Sequence, residues 1–242
     1  MNVLLNERRP RRERADNAAR RRAQILEATI ESIVRHGLAA TTLATVADAA
    51  GLSQGVTVFY FKTKRALLAE ALRTHYEDYR AVWRAALDTA PADPVGRILA
   101  LIRADFDPSI CNRRTLTLWH AFWGEASARP IFATISEGYD RERAASMRDA
   151  CEAAAALLDP GIWTPAELAL AIDSLTDGLW LRMHLAPDAM DNAAALRITA
   201  RVLAAAFPSR LTDILAAVDG AHPLQFGSGV ASGAPARSSD AV

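Results

Sequence analysis

An all-α fold is predicted, with a small N-terminal helix-turn-helix unit ahead of a larger helical body. Three observations predict it. Apolar residues recur with a period near 3.6 from about residue 17 to about residue 206, and no segment alternates strongly with period two. The breaks between periodic segments are glycines, prolines and Ser/Thr residues, at positions that suit helix caps. The chain has 242 residues, 51% of them apolar, so it can bury a core without disulfides or metal clips.

The elements follow in order. Residues 1–16 are polar and rich in arginine (Arg8, Arg9, Arg11, Arg12, Arg14) and are expected to form a disordered arm. A helix is predicted over about 17–36, with Ile25, Leu26, Ile30, Ile33 and Val34 on one side and Gly37 as its C-cap. Thr42 is placed to cap a short helix over 43–50, and Gly51 ends it. Ser53 caps another over 54–60, and Thr63 a long one reaching about 88. Further helices are expected over 94–106, 113–127, 130–157, 165–186 and 191–206, with a weak one at 209–218. Residues 220–242 hold 4 Gly, 5 Ala, 4 Ser and 2 Pro, the composition of a flexible tail.

The net charge of zero conceals an asymmetry. Residues 1–75 carry 13 Arg/Lys against 7 Asp/Glu, a balance of +6, and residues 76–242 carry 15 against 21, a balance of −6. A basic head on an acidic body suits a polyanionic partner. The stretch GLSQGVTVFYFKTK, residues 51–64, gathers three aromatics and the only two lysines of the chain. Two short helices meeting at Gly51, with Ala47 small enough for a close crossing, make a helix-turn-helix whose second helix enters a major groove. On that helix Gln54 and Thr57 are expected to reach base edges. Thr42 and Ser53 cap beside the DNA. Tyr60, Lys62 and Lys64 are expected on phosphate, and Phe59 and Phe61 are expected to anchor the helix inward.

Residues 20–72 resemble the DNA-binding domain of the tetracycline-repressor (TetR) family, in ILEATIESIVRHGLAATTLATVADAAGLSQG and YFKTKRALLAEAL. Val58 departs from the pattern, because the family often carries there an aromatic that touches phosphate. The resemblance implies a TetR-like architecture: a three-helix DNA-binding domain at 17–72, then an all-helical ligand-binding and dimerisation domain at 73–218. It also implies double-stranded operator DNA as partner, a small-molecule inducer, and a homodimer built largely by the last two long helices. DFD at 105–107, LWHAFWGEA at 118–126 and LTDGLWLR at 175–182 resemble the choline-responsive repressors of glycine-betaine operons.

On that basis Phe106, Trp119, Phe122, Trp123, Asp177 and Trp180 are the candidate ligand residues. Trp119, Phe122 and Trp123 share one helix face, and Asp173, Asp177, Trp180 and His184 share another. Tryptophan faces beside a carboxylate suit a quaternary ammonium ion. Mid-helix Gly178 suggests close approach by another helix or by the ligand. Leu168, Ile172, Leu175, Leu196, Val202 and Leu203 are candidates for the dimer contact.

Other chemistry is poorly represented. The sequence has no H-E-x-x-H, no G-x-S-x-G and no P-loop, so neither catalytic residues, metal ligands nor a cofactor are expected. Cys111 and Cys151 lack C-x-x-C spacing and suit a reducing compartment. With no signal-like segment and no apolar run of membrane length, a cytoplasmic location away from membranes is expected. Two alternatives stay open at this point: a helical small-molecule binding protein or enzyme with an incidental basic arm, and a sequence-tolerant DNA-compacting protein.

Overall fold

The structure, a computed structural model, describes residues 4–126, 129–159 and 162–219, with side chains from Glu13 onward. Every regular element among the described residues is helical. α1 runs Leu4–Ala40, α2 Leu43–Ala49, α3 Gln54–Tyr60, α4 Lys64–Asp88 and α5 Pro94–Asp105. α6 runs Arg113–Ala126, α7 Pro130–Ala153, α8 Pro165–Leu185, α9 Asn192–Ala206 and α10 Leu211–Val218, with single 3₁₀ turns at Ala155–Leu157 and Pro208–Arg210. The expected tail at 219–242 lies, after Asp219, outside the described residues.

The caps fall where the sequence places them. Gly37 takes φ 78° and ψ 168°, which ends the regular part of α1 before a short helical turn at 38–40. Thr42 and Thr45 form a reciprocal capping box on α2, and Ser53 and Thr63 accept from Val56 N–H and Ala66 N–H. Gly51 turns the chain at φ 64°, and Leu52 N–H returns to the Ala47 carbonyl at 2.9 Å.

Two expectations need correction. The segment expected as a disordered arm is helical from Leu4 onward, as the first turns of α1. Residues 13–21 are exposed on every side and burial begins at Ile25, so no packing holds residues 13–21. Its Arg, Ala and Glu content has strong helix propensity and carries on the helix that packs beyond it. The helix expected over 130–157 stops at Ala153. There the chain tightens into a 3₁₀ turn that brings Asp159 N–H to the Ala206 carbonyl at 3.2 Å.

Two apolar clusters organise the chain. The smaller joins Ile25, Leu26, Val46, Phe61, Leu67 and Ala71, from α1, α2, the end of α3 and α4. The larger fills the body and takes Leu68, Leu72, Tyr76 and Trp83 from α4. α4 therefore packs one face in each cluster. A second tie comes from α6, whose Arg114 pairs with Glu27 at 2.6 Å and Glu31 at 3.6 Å on α1.

Candidate DNA-binding face and ligand cavity

α3 has only two turns, so packing decides which of its residues face outward. Gln54, Gly55, Val58 and Phe59 are exposed, with Phe59 at 68%. Thr57 is fully buried with its hydroxyl unpartnered, so it cannot reach a base edge as expected. It turns toward the helix crossing, where the apolar contacts of the small cluster lie. Phe59 is the converse. It was expected to anchor the helix, but its ring stands in solvent, edge-on to Tyr60 at 5.3 Å and beneath the Lys62 ammonium, also at 5.3 Å. Phe61 alone anchors, 3% exposed under the Arg22 guanidinium.

Thr42 and Ser53 are exposed at the starts of α2 and α3, and Tyr60 is half-buried against the small cluster. Lys64 does not stand free for phosphate. Its ammonium donates to the Ala39 carbonyl at 2.7 Å, tying α4 to the end of α1. Burial and then the Arg129 cation push its pKa below the usual lysine range, against Glu125.

In the body a cavity of about 330 Å³ opens between α4, α5, α6, α7 and α8. Five aromatic rings line it: Tyr76 and Tyr79 from α4, Trp119 and Trp123 from α6, and Trp180 from α8. Trp180 lies nearly parallel to Trp119 at 6.0 Å and to Trp123 at 6.4 Å. Tyr79 meets Trp119 and Trp180 edge-on. The Trp180 ring is fixed by its N–H, which donates to the Asp105 carbonyl at 3.0 Å. Behind the wall His75 lies tilted against Trp119 at 4.1 Å, and burial followed by the Arg114 cation depresses its pKa to about 3, so it is neutral.

The charged lining is one-sided. Asp105, Asp140, Asp173 and Asp177 face a single cation, Arg143. Arg143 is 6% exposed and holds Asp105 through two contacts of 2.8 and 3.1 Å, with Asp173 at 3.6 Å. Tyr79 also donates to Asp105, at 2.6 Å. Burial pushes the Asp105 carboxyl up while Arg143 and Tyr79 hold it down. Among the described residues Asp140 accepts only from Tyr76 O–H, at 3.3 Å, and none bonds Asp177. Asp177 is exposed at the mouth of the cavity, yet partial burial, with Asp105 and Asp140 close by, raises its pKa to about 6. Burial likewise raises Asp140 to about 6 and Asp173 to about 7.

Four of the six expected ligand residues therefore converge: Trp119, Trp123, Asp177 and Trp180. Phe106 and Phe122 do not line the cavity. Phe106 is buried in the core after α5, and Phe122 packs edge-on against Phe132 at 5.1 Å. Phe122 sits one helical turn from Trp119 but on the side of α6 that meets α7, and a shared helix face is too coarse to separate the two. Sequence reasoning missed Tyr76, Asp105, Asp140, Arg143 and Thr176. The signal for Asp105 was an aspartate at the end of the apolar α5, which needs a partner; Arg143 stands in the charged run DRER of α7 and gave no such signal.

A larger cavity of about 800 Å³ lies between α4, α5 and α10. Its polar groups satisfy one another: Asp93 holds Arg210 at 2.6 and 3.0 Å, and Arg103 donates to the Ala217 carbonyl at 2.6 Å. The smaller cavity has one carboxylate, Asp177, without a partner among the described residues, and is the candidate ligand site. Among the described residues no group of three or more His, Cys, Asp or Glu could hold a metal ion, and no helix is long and apolar enough to cross a membrane.

Gly178 meets nothing within 4 Å of the position a Cβ would take. The close approach expected there does not occur within the protomer. It shares an exposed face of α8 with Leu170, Leu181 and Leu185, which are 68%, 44% and 72% exposed. Leu168, Ile172 and Leu203, expected in a dimer contact, are instead fully buried in the protomer core.

Comparison with known proteins agrees with this arrangement. Residues 25–71 match the tetR family of bacterial regulatory proteins, and residues 94–208 match the C-terminal domain of BetI-type transcriptional repressors. The HTH-type transcriptional regulator BetI of Paraburkholderia phymatum is 34% identical over 178 residues, 74% of this chain and 88% of that one. Its counterpart in Burkholderia thailandensis is 33% identical over the same share of this chain and 89% of its own. Among solved structures, a transcriptional regulator from Pseudomonas aeruginosa superposes with a TM-score of 0.71 at 24% identity, over 81% of this chain and 94% of that one. One from Saccharomonospora viridis, solved in complex with choline, superposes with a TM-score of 0.67 at 20% identity, over 75% of this chain and 94% of that one. Helix-turn-helix head, helical body with a lined cavity, and sequence likeness over both lead to one conclusion: the chain belongs to the TetR family of bacterial regulators, with a BetI-type C-terminal domain, and is a ligand-responsive DNA-binding transcriptional repressor.

Proposed function

We propose that residues 17–72 read a near-palindromic operator and that the cavity in residues 73–218 takes a small organic cation, of the choline type, that releases the DNA. The observation that carries the ligand class is Asp177, a carboxylate without a partner among the described residues, at the rim of a box of three tryptophans. Each desolvated cation–π contact contributes about 2 kcal/mol, and the excess of carboxylates over Arg143 leaves the box negative. The Saccharomonospora viridis neighbour, which binds choline in its crystal, supports the same reading. Calorimetric titration tests it, with choline compared against its neutral carbon isostere. Choline binds and the isostere does not; tighter binding of the isostere overturns the cation.

This reading fixes a pH dependence. A cation needs ionised carboxylates, and those of Asp140, Asp177 and Asp173 are raised to about 6, 6 and 7. Inducer affinity therefore rises as pH increases through this window, and binding there releases protons. Without ligand the sign is opposite. The fold holds these protons to higher pH than the unfolded chain, so the contribution of the three groups to stability falls as pH rises from about 4 to about 7. Titrations in buffers of differing ionisation heat, together with melting curves with and without choline, check both halves.

On the DNA side, Gln54 is the side chain of α3 best placed for a base edge, with Val58 and Phe59 offering apolar contact beside it. Lys62, Tyr60, Thr42 and Ser53 are assigned to phosphate, and Lys64 to holding the head together. Gln54→Ala is expected to change preference at one or two operator positions by about 1–3 kcal/mol, read by binding-site selection. An unchanged operator would place α3 in another register.

The homodimer is assigned to the exposed face of α8, Leu170, Gly178, Leu181 and Leu185, beside α9. Two heads in one dimer fall on successive major grooves, about 34–36 Å apart. Leu181→Glu is expected to yield a monomer by light scattering at micromolar concentration, while the parent chain is a dimer. A cytoplasmic location follows from operator DNA as the partner.

A further inference from the structure

The same cavity carries chemistry beyond the cation box. Seven buried side-chain N or O atoms among the described residues lack a hydrogen-bond partner, and four of them belong to three residues of its lining: Trp119 Nε1, Arg143 Nε and Nη1, and Thr176 Oγ1. Buried polar atoms in native proteins are ordinarily satisfied. A concentration of orphans around one cavity points to what the cavity holds.

Thr176 is unusual within this molecule. A threonine inside a helix commonly bonds back to the carbonyl four residues earlier. Thr29, Thr74, Thr117, Thr134 and Thr199 all do so here, at 2.7–3.1 Å. Thr176, equally helical and 4% exposed, does not. Its hydroxyl stays available one residue before Asp177 and one turn before Trp180.

The orphans also specify polarity. Indole and guanidinium N–H groups can only donate, and a threonine hydroxyl can donate. Together they require an acceptor. The four aspartates of the lining can only accept while ionised, and they require a cation. One small ligand meets both demands if it carries an ammonium and an oxygen. A carboxylate oxygen fits poorly, because the lining already sets four carboxylates against one guanidinium. A hydroxyl or carbonyl oxygen adds no charge.

We propose that Thr176, with Arg143 behind it, is the specificity-determining end of this cavity, selecting organic ammonium ions that bear an uncharged oxygen. The proposal rests on the cation reading of the site and sharpens it. Arg143 keeps its hold on Asp105 and adds a donor toward the ligand, and Thr176 supplies the hydrogen bond that a bare alkylammonium cannot use.

The test is calorimetry on the full chain with choline, ethyltrimethylammonium and glycine betaine. These share one head group and differ in hydroxyl, hydrogen and carboxylate. Choline is expected to bind roughly tenfold more tightly than ethyltrimethylammonium, the worth of one hydrogen bond, and more tightly than glycine betaine. Thr176→Val keeps the side-chain shape, removes this advantage and leaves ethyltrimethylammonium unchanged; Thr176→Ser restores it. Equal binding of choline and ethyltrimethylammonium by the parent chain overturns the proposal while leaving the cation box standing. Equal weakening of both by Thr176→Val makes the residue mere packing, and also overturns it. Tighter binding of glycine betaine than of choline overturns the uncharged-oxygen requirement. Binding of none of the three removes the cation reading itself, and this inference with it.

Discussion

Asp105→Ala is expected to destabilise the protein by about 3–5 kcal/mol, read as a lower denaturant midpoint at an unchanged slope. Asp105 is 1% exposed and accepts from Arg143 and from Tyr79 O–H. Its removal leaves the Arg143 guanidinium buried, with Asp173 at 3.6 Å its one remaining ion-pair partner among the described residues. A buried charge that loses its partner costs far more than the pair contributed. Single domains are stable by about 5–15 kcal/mol, so this one change consumes a large share. A loss below about 1 kcal/mol would mean that water reaches the guanidinium and that the cavity is wetter than its lining indicates.

Asp177→Asn is expected to do the reverse, sparing the fold and disabling the inducer response. None of the described residues bonds Asp177, and partial burial with Asp105 and Asp140 nearby disfavours its charge, so neutralising it removes that penalty in the ligand-free protein. A cation at 4 Å from a carboxylate gains about 4 kcal/mol at an effective dielectric near 20. Asp140 and Asp173 remain nearby, so inducer affinity should fall by roughly tenfold to a hundredfold, with operator affinity intact in its absence. Gel shifts with rising choline measure both. A variant that releases DNA at the same choline concentration would move the cation's partner elsewhere in the box. Trp180→Ala is the weaker test of the same idea. That ring is 2% exposed and bonds the Asp105 carbonyl, so its loss disturbs core and ligand together.

The caps show what a sequence makes legible. Gly37, Thr42, Gly51, Ser53 and Thr63 act on their own neighbours within four residues, so local chemistry placed them. The orientation of α3 was not local. Thr57 and Phe59 exchanged their expected places because a two-turn helix is oriented by what it crosses, and β-propensity or size says little about that. Among the cavity residues the tryptophans announced themselves by rarity. Asp105 and Arg143, 38 residues apart on different helices, became a pair only once α5 and α7 met. Asp177 was legible beside Trp180 on its own helix, whereas Asp140 looked like an ordinary surface acid because nothing in its own helix shows that it lines a cavity walled by aromatic rings.

α4 places Lys64 against the DNA-binding head and Tyr76 in the cavity, on one uninterrupted rod. At 1.5 Å per residue these points lie about 18 Å apart. A rod pivoted at the cavity acts as a lever: a rotation of about 5° there sweeps the head by about 1.5 Å. Hydrogen bonds to phosphate tolerate a donor–acceptor range of only about half an ångström. In a dimer the two sweeps are symmetric and open or close the span between heads by twice that amount. A ligand of a few heavy atoms can thus unseat a protein from two grooves at once without unfolding any part of it.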